Sequence, residues 1–418
     1  MDRVILHCDM NGFYASVELI DYPHLKDKPM AVCGSPENRH GIILAKNEIA
    51  KRYGVVTAET LWQARKKCPG LQVVPPHHDK YRHYSRLINE IYLRYTDMVE
   101  PFSIDESWLD VTASTNLFGT GSHMADEIRE TVKKELGLTL SAGVSFNKIF
   151  AKMGSDYRKP DATTVISREN FKEILWPLDV RAMFFVGKVT AQKLHDFGIK
   201  TIGELAAADK KMISGMLGKQ GSTIHDYANG LDTTPVARYD QPEQIKSVGN
   251  GITFRRNLHG MEDIKTAVRG LSDTVATRLR KHGLKAFGVK VDIKDPSLKV
   301  ISRQQQLDNP TNVSEVIASS AIDTIKKSWR MRDPIRMLTI TAINLCDENQ
   351  AQQLSLFSNE NVLAEKGEKV ERAMDNIRKK FGTGAISFGS IINNDIGLDA
   401  GSTDPAFSDV RTPPDRDD

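Results

Sequence analysis

The chain has 418 residues, 40% of them hydrophobic, with a mean hydropathy of −0.38 and a formal net charge of +3. A chain of this length is too long to fold around a single hydrophobic core, so two to four domains are expected. No apolar stretch approaches membrane-spanning length, and the four cysteines have neither paired nor zinc-site spacing, which predicts a protein of the reducing cytoplasm without a membrane span.

The first predicted element is a buried strand over residues 4–9 that ends in the carboxylate of Asp9. Later in the chain, Asp105 and Glu106 directly precede a second strand-like run at residues 108–111. Hard divalent cations prefer oxygen ligands, and two of them can activate a hydroxyl group and stabilise a phosphoryl transition state. For any one of these acids taken alone, a solvated turn is the alternative.

Strands mixed with helices occupy the first half of the chain. Residues 30–33 and 41–45 resemble strands, and helical patterns lie in residues 79–96 and 123–136. Residues 139–144 predict one more strand. Helices that cross between strands favour an α/β layer with paired strands.

Three separated segments carry a family resemblance. They are residues 8–18 (CDMNGFYASVE), 103–110 (SIDESWLD) and 143–152 (GVSFNKIFAK), and Lys159-Pro160 follows them. In this order they resemble the Y-family translesion DNA polymerases, in the bacterial DNA polymerase IV or UmuC-like branch, over roughly residues 1–346. The resemblance implies an α+β multidomain fold, the right-hand polymerase with palm, small fingers, helical thumb and a C-terminal α/β little finger.

The resemblance also implies a division of the chain. The expected parts are the palm (1–10 and 78–166), fingers (11–77), thumb with a helix-hairpin-helix (167–235), linker (236–243), little finger (244–346), clamp-binding linker (347–358), a helix and short strand (359–398) and a disordered tail (399–418).

The implied active site holds three acids and two Mg²⁺ ions. By resemblance, Asp9, Asp105 and Glu106 are catalytic and bind the metal, together with the backbone carbonyl of Met10. Asn11 stands where many relatives carry another Asp, which makes it a weak ligand candidate.

The implied substrate contacts follow from the same register. Tyr14 matches a steric gate, an aromatic ring beneath the sugar that excludes a 2′-hydroxyl, and Phe13 is the competing ring. Lys159 matches a lysine that contacts the triphosphate. Lys51 is the remaining substrate-binding candidate.

The nucleotide-binding segment departs from the family at two positions. Glu48 and Lys51 stand where relatives commonly have Tyr and Arg, which both touch the triphosphate. A carboxylate repels phosphate, and lysine lacks the bidentate fork of arginine. Whether Lys46, Lys51 or Arg52 supplies the positive charge stays open.

Two segments resemble DNA-binding elements of the family. Residues 185–194 resemble a helix-hairpin-helix in which Gly187 and Lys188 would meet a DNA phosphate, although Phe185 replaces a usual glycine. Arg255 and Arg256 match the opening strand of the little finger. Residues 244–346 contain 18 Lys and Arg against 9 Asp and Glu, a plausible footprint for a polyanion.

The C-terminal region resembles a docking segment for a partner protein. Gln353, Leu354, Leu356 and Phe357 match the pentapeptide with which bacterial polymerases bind the sliding clamp; a chance match in a linker is the alternative. An amphipathic helix is expected after it, with an apolar face that includes Val370, Ile377 and Phe381.

The leading hypothesis is a monomeric, DNA-templated DNA polymerase that extends primers past damaged template bases. Its expected partners are primer–template DNA, dNTPs and the clamp, with no membrane. One alternative is a DNA-binding accessory protein of the same fold with weak or no polymerase activity, motivated by Glu48, Lys51 and Phe185. The other is a palm-type nucleotide cyclase, which would not need the basic domain or the clamp peptide.

Overall fold

The structure is a computed structural model, and it describes residues 2–35, 41–241, 244–350, 360–392 and 394–398. Of the described residues, one compact unit contains 2–33 and 43–241, and a second contains 34–35, 41–42, 244–350, 360–392 and 394–398. Among the described residues, no helix has the length and apolar character that crossing a membrane requires.

Strands and helices alternate along the first unit. Its strands are β1 (Ile5–Met10), β2 (Met30–Cys33), β3 (Ile43–Lys46), β4 (Gln72–Val74), β5 (Val99–Pro101), β6 (Glu106–Asp110), β7 (Leu140–Ser145) and β8 (Thr163–Ile166). Its α-helices are α1 (Phe13–Asp21), α2 (Glu48–Arg52), α3 (Leu61–Lys67), α4 (His78–Tyr92), α5 (Thr115–Phe118), α6 (Gly121–Leu136), α7 (Lys148–Tyr157), α8 (Phe171–Leu175), α9 (Lys188–Asp196), α10 (Ile202–Ala207), α11 (Lys210–Leu217) and α12 (Lys219–Ala228).

Five strands form the central sheet in the order β5-β6-β1-β7-β8. The central strand β1 is antiparallel to both β6 and β7. Because side chains alternate along a strand, Leu6, Cys8 and Met10 enter one hydrophobic core with residues of α1, α4 and α6. His7 and Asp9 point to the opposite face, which α7 covers. The alternation places the apolar side chains of β1 on one face of the sheet and His7 and Asp9 on the other.

Two glycines let α7 lie directly on the sheet. A Cβ atom added to Gly143 of β7 would stand 1.9 Å from the Ala151 carbonyl oxygen and 2.5 Å from the Ser155 amide nitrogen. A Cβ on Gly154 would stand 3.0 Å from the Gly143 Cα atom. The helix and the strand therefore meet backbone to backbone, which only glycine permits.

Smaller layers complete the first unit. A three-stranded sheet in the order β3-β2-β4 lies within the segment expected to form the fingers. The helices α8 to α12 share one hydrophobic core in the segment expected to form the thumb.

The first part of the segment expected to be a linker is fixed to the first unit. Val236 is buried, and the Ala237 amide donates a 2.8 Å hydrogen bond to Glu100 Oε2. The Tyr239 amide donates to the Asp97 carbonyl oxygen at 3.2 Å. The chain is therefore anchored as far as residue 239.

The second unit is an antiparallel sheet with helices. Its strands are β9 (Ser247–Leu258), β10 (Leu284–Lys294), β11 (Val300–Thr311) and β12 (Ile335–Asp347), in the order β11-β10-β12-β9. Its helices are α13 (Gly260–Lys281), α14 (Ser314–Ser328) and α15 (Glu360–Phe381). Alternate residues of β10 and β12 share one core with α13 and α14.

The C-terminal helix α15 docks through charged side chains. Arg280 of α13 is buried and ion-pairs with Glu371 and Asp375 of α15; the distance to Asp375 Oδ2 is 2.6 Å. Glu371 Oε1 also accepts hydrogen bonds from the Ser314 amide and hydroxyl group, at 2.9 and 2.7 Å. Arg378 forms two hydrogen bonds with Asp273, at 3.0 and 2.8 Å.

The apolar residues Val370, Ile377 and Phe381 are exposed, and an adjacent side of α15, which carries the ion-paired residues Glu371 and Asp375, meets the domain. One expectation for this region is wrong. In place of the expected short strand, the described residues after α15 form two 3₁₀ helices, Thr383–Ala385 and Gly389–Ile391, and Ile391, Ile396 and Leu398 enter the core of the second unit. The expected clamp-binding residues 353–357 and tail 399–418 lie outside the described residues.

Candidate active site

The three predicted carboxylates meet at one end of the central sheet. Asp9, near the end of β1, pairs across the ladder with Glu106, the first residue of β6. The Asp105 carbonyl oxygen accepts a 3.0 Å hydrogen bond from the Met10 amide. Acids that are far apart in the sequence become neighbours because β1 and β6 are antiparallel neighbours.

Two lysines that the sequence analysis did not place together lie against these acids. Lys152 Nζ is 3.1 Å from Asp9 Oδ2 and 2.9 Å from Glu106 Oε2. Lys159 Nζ is 2.7 Å from the same Asp9 oxygen. Asp156 contacts both ammonium groups, at 3.3 Å for Lys152 and 2.6 Å for Lys159. The site is therefore a network of alternating charges.

The adjacent acids Asp105 and Glu106 differ in ionisation. Burial raises the pKa of Asp105 to about 6; the charges of Asp9 and Glu106 act in the same direction, and the hydrogen bond from Ser103 opposes them. Burial also disfavours ionised Glu106, but contact with His7 and Lys152 outweighs it and lowers the pKa of Glu106 to about 2. A nearby cation would favour ionisation of Asp105.

The donor set fits a hard divalent cation. Asp9, Glu106 and His7 each offer one ligand atom, and these atoms lie within 4.8 Å of one another. Glu106 Oε2 is buried, with the Lys152 ammonium group 2.9 Å away. Buried carboxylates require a compensating partner, and oxygen donors suit Mg²⁺. Of the predicted ligands, Asp9 and Glu106 therefore belong to this set, whereas Asp105 adjoins it in the sequence.

The two aromatic candidates for the sugar gate have different environments. Phe13 is 2% exposed and belongs to the core beneath the sheet, so it cannot face a nucleotide. Tyr14 is partly buried and stacks on Tyr81, with ring centroids 3.9 Å apart and an interplanar angle of 12°. Gly12 precedes them with a φ of 55°, and a Cβ there would stand 3.2 Å from the Lys46 carbonyl oxygen. The geometry favours Tyr14 over Phe13.

Glu48 and Lys51, the two positions that depart from the family, form an ion pair. Lys51 Nζ lies 3.3 Å from Glu48 Oε1, and both side chains are about half exposed. Lys46 Nζ donates to Thr57 Oγ1 at 3.1 Å. An exposed ion pair of this kind contributes little free energy, so Lys51 stays a substrate-binding candidate beside Lys46.

The predicted hairpin keeps its turn despite the missing glycine. Phe185 takes a φ of 68°, the left-handed region that glycine favours, and its carbonyl oxygen accepts a 3.0 Å hydrogen bond from Gln220. Its ring is 54% exposed. Gly187 caps α9, Lys188 begins it, and nothing lies within 4 Å of the position of a Cβ on Gly187. The turn therefore leaves room for a close approach to its backbone.

One of the two arginines of the little-finger strand is paired with carboxylates of its own domain. Arg256 pairs with Asp263 and, at 2.7 Å, with Asp395. These two carboxylates neutralise it within its own domain, which favours a structural role. The Arg255 amide donates to the Ile396 carbonyl oxygen at 3.0 Å, so the C-terminal segment runs beside this strand.

Lys152, Asp156 and His7 are the site residues that sequence reasoning missed. Lys152 and Asp156 lie four residues apart on α7, so they share one face of that helix. His7 precedes Asp9 by two residues on β1 and therefore shares its face of the sheet. The four-residue spacing on α7 and the two-residue spacing on β1 are the features of the sequence from which these residues could have been predicted.

Comparisons with known proteins agree with the geometry. The model of the impB/mucB/samB family matches residues 8–156, that of its C-terminal domain matches residues 245–356, and the IMS family HHH motif matches residues 168–199. A protein of Acetivibrio thermocellus named DNA polymerase IV is 47% identical, with 95% of this chain and 99% of that protein covered. DNA polymerase IV 1 of Bacillus subtilis is 39% identical, with 94% of each covered.

A solved structure shares the fold. A Y-family DNA polymerase chimera superposes with a TM-score of 0.73 at 22% identity, and the match covers 82% of this chain and 99% of the chimera. The predicted right-hand fold is confirmed, and the nucleotide-cyclase alternative is excluded. The chain belongs to the impB/mucB/samB family of Y-family polymerases, in its DNA polymerase IV branch.

Proposed function

We propose that this chain extends DNA primers past damaged template bases by nucleotidyl transfer, with Asp9, Asp105 and Glu106 holding two Mg²⁺ ions. The chain is a DNA-directed DNA polymerase of the Y family, and its substrates are DNA and nucleotides. The observation that carries the assignment of residues is the pairing of Asp9 with Glu106 across β1 and β6, with Asp105 beside them.

Each group in the site has a role in this proposal. The metal ions, when bound, lower the pKa of the primer 3′-hydroxyl and neutralise the triphosphate. The ammonium group of Lys159, which lies at the rim beside Asp9 and Asp156, contacts the triphosphate. Lys152 stays beside Glu106, and its positive charge offsets the repulsion between the neighbouring carboxylates. The hairpin at Gly187 and Lys188 holds a phosphate of the duplex.

Primer extension tests the proposal. The purified full chain, Mg²⁺, four dNTPs and a primer–template with one abasic site should yield products longer than the lesion position. An accessory protein of the same fold would bind the duplex without extending the primer. Absence of extension on undamaged template at every dNTP concentration would refute the polymerase activity. Light scattering of the same preparation tests the expected monomer.

Tyr14→Ala should admit ribonucleotides. Removing the ring opens space beneath the sugar, so the ratio of kcat/KM for dNTP to that for rNTP should fall by at least about tenfold. Tyr81→Phe is the matched control, because it keeps the ring that stacks on Tyr14 and removes only the hydroxyl group that donates to Glu18 at 2.5 Å. If the Tyr14 variant discriminates like the parent, another group is the gate.

We also propose that residues 353–357 bind the bacterial sliding clamp. Support comes from the QLSLF sequence alone, in which Leu356 and Phe357 would be the hydrophobic anchors and Gln353 and Leu354 would complete the contact. Substitution is a cleaner test than truncation, because truncation would also remove α15 from the second unit.

Leu356→Ala with Phe357→Ala should abolish stimulation by the clamp and leave synthesis without the clamp unchanged. Truncating two buried hot-spot anchors typically costs ~2–4 kcal/mol each, which is enough to eliminate a weak peptide contact. Gln352→Ala with Ser358→Ala, which flanks the motif, is the control. Equal stimulation of all three proteins would show that the pentapeptide is an ordinary linker sequence.

A further inference from the structure

An exposed aromatic ring lies at the turn of the predicted hairpin. Phe185 is 54% exposed, and Val189, four residues further along the chain, is 72% exposed. Gly187 and Lys188, the residues proposed to hold a DNA phosphate, lie between them in the sequence and are exposed as well. The proposed phosphate contact is therefore flanked along the chain by two apolar side chains at the surface.

The backbone of Phe185 takes a conformation that its side chain disfavours. A φ of 68° lies in the left-handed region, where the Cβ atom of an L-residue crowds the following carbonyl oxygen. Glycine adopts this region without that steric cost, and a bulky residue there is an outlier. Gln220, in the first turn of α12, holds the turn through its 3.0 Å hydrogen bond to the Phe185 carbonyl oxygen. Strain of this kind clusters at ligand-binding sites, so it points to a function for the ring.

Aromatic neighbours support the inner side of the ring. The centroid of the Phe184 ring lies 4.2 Å from that of Phe185, with an interplanar angle of 49°, and the centroid of the Tyr227 ring lies 6.1 Å away. Phe184 itself packs edge-on against Phe102 at 5.8 Å. The Phe185 ring is therefore held from within while its outer side stays exposed. A group that is already held loses little conformational freedom when it binds a ligand.

The charges beside the ring favour an anionic ligand. The hydrogen bond from Gln220 joins the hairpin to the start of α12, so residues 185–195 and 218–225 meet at this point. These two segments contain no Asp or Glu, and their lysines are Lys188, Lys193 and Lys219. Nucleic acid combines phosphate charges with the apolar C–H groups of its sugars, and proteins contact both. Lysines around an exposed apolar ring match that combination.

A packing role is the competing explanation for Phe185. The ring contacts Phe184 and Tyr227 and in this explanation only keeps the hairpin in shape. However, apolar side chains stabilise a fold in proportion to the area that they bury, and Phe185 leaves more than half of its surface exposed. The exposure of the ring, the left-handed backbone and the position beside Lys188 together favour a contact outside the chain.

We propose that the ring of Phe185 is a further DNA-binding group, which packs against the deoxyribose beside the phosphate that Gly187 and Lys188 hold. The inference rests on the proposed function, in which the hairpin binds the duplex. Because every nucleotide carries the same sugar, the contact adds affinity without a preference for sequence. The residue that departs from the family at this turn thus replaces a bare backbone with an apolar contact.

Two substitutions at this one position separate a DNA contact from a packing role. Phe185→Gly removes the ring and supplies the residue best suited to the turn, whereas Phe185→Tyr keeps an aromatic ring. Phe197→Ala is the matched control, because Phe197 is 64% exposed at the other end of α9. Fluorescence anisotropy of a labelled primer–template should be measured with the full chain at several salt concentrations, and the midpoint of thermal unfolding should be measured for each protein.

We expect Phe185→Gly to raise the dissociation constant of the DNA by roughly fivefold to tenfold at every salt concentration, since the burial of an aromatic ring is lost. The slope of log Kd against log salt should keep its parental value, because an apolar contact releases no counterions. Lys188→Ala, which removes a phosphate contact, should change that slope by about one. Phe185→Tyr and Phe197→Ala should bind like the parent.

Parental or tighter binding by Phe185→Gly would overturn the inference, because it would show that the ring makes no contact with DNA or obstructs it. A lower unfolding midpoint together with a salt slope like that of Lys188→Ala would also overturn it, since the ring would then maintain the shape of the hairpin. Failure of the proposed function is a separate result: the parent would bind DNA yet extend no primer, and the dissociation constants would still decide the role of Phe185.

Discussion

Changing Asp105 to Asn and Glu106 to Gln in one double variant should abolish nucleotide transfer while primer–template affinity stays nearly intact. The amides keep the shape of the acids and remove the charges that would bind the metal. Metal stabilisation of the transition state is worth several kcal/mol, so the rate should fall by about 10³-fold or more. The DNA affinity should persist because the proposed role of the acids is to hold the metal, whereas the hairpin at Gly187 is proposed to hold the duplex.

The control must match the change of charge. Glu127→Gln with Glu130→Gln alters the net charge equally on the exposed side of α6. Single-turnover extension measures the chemical step, and fluorescence anisotropy of a labelled primer–template measures DNA affinity. Extension at the parental rate by the Asp105 and Glu106 variant would remove these residues from the mechanism. Loss of DNA affinity equal to the loss of rate would assign them a structural role instead.

Removing the two acids that neutralise buried Arg280 should strongly destabilise the second unit. In Glu371→Ala with Asp375→Ala, the Arg280 side chain, 2% exposed, would lose both ionic partners. The Ser314 amide would lose its acceptor in the same variant. Leaving one charge of a buried pair uncompensated typically costs about 3–5 kcal/mol.

Hydrogen exchange of the β10 and β12 amides measures this loss in the full chain. Their protection should fall by roughly 10²–10³-fold, since each 1.4 kcal/mol corresponds to a factor of ten when exchange requires opening of the domain. Asn376→Ala with Lys379→Ala changes two exposed residues of the same helix and should leave protection unchanged. Protection at the parental level in the acid variant would show that α15 contributes no stability to the sheet.

The acids of the site were predictable because the segments around them resemble a known family, whereas each acid taken alone could be a solvated turn. Asp9 closes an apolar strand, Asp105 and Glu106 precede another, and only the pairing of β1 with β6 was needed to join them. Lys152 was harder to predict from the sequence. Its role depends on which face of α7 meets the sheet, and that face is determined by the approach at Gly143, a tertiary contact that periodicity does not encode.

The C-terminal helix shows that an amphipathic pattern predicts a helix but not the side of it that packs. The apolar residues Val370, Ile377 and Phe381 are exposed. The side of α15 that packs carries Glu371 and Asp375, which pair with the buried Arg280 of α13 and so avoid the cost of an uncompensated buried charge. Likewise, the positive charge of Arg256 was visible in the sequence, but its carboxylate partners Asp263 and Asp395 lie on other elements.

The contact between Gly143 and Gly154 bears on how this enzyme can change over evolutionary time. Most cores tolerate substitution because neighbouring side chains exchange volume or change rotamer. Here neither partner has a side chain, so no compensating substitution exists in the immediate contact. Mutations that repack the surrounding cores can accumulate without altering the height of α7 above the sheet. The distances between the lysines and the carboxylates therefore stay the same when residues elsewhere in the chain are substituted.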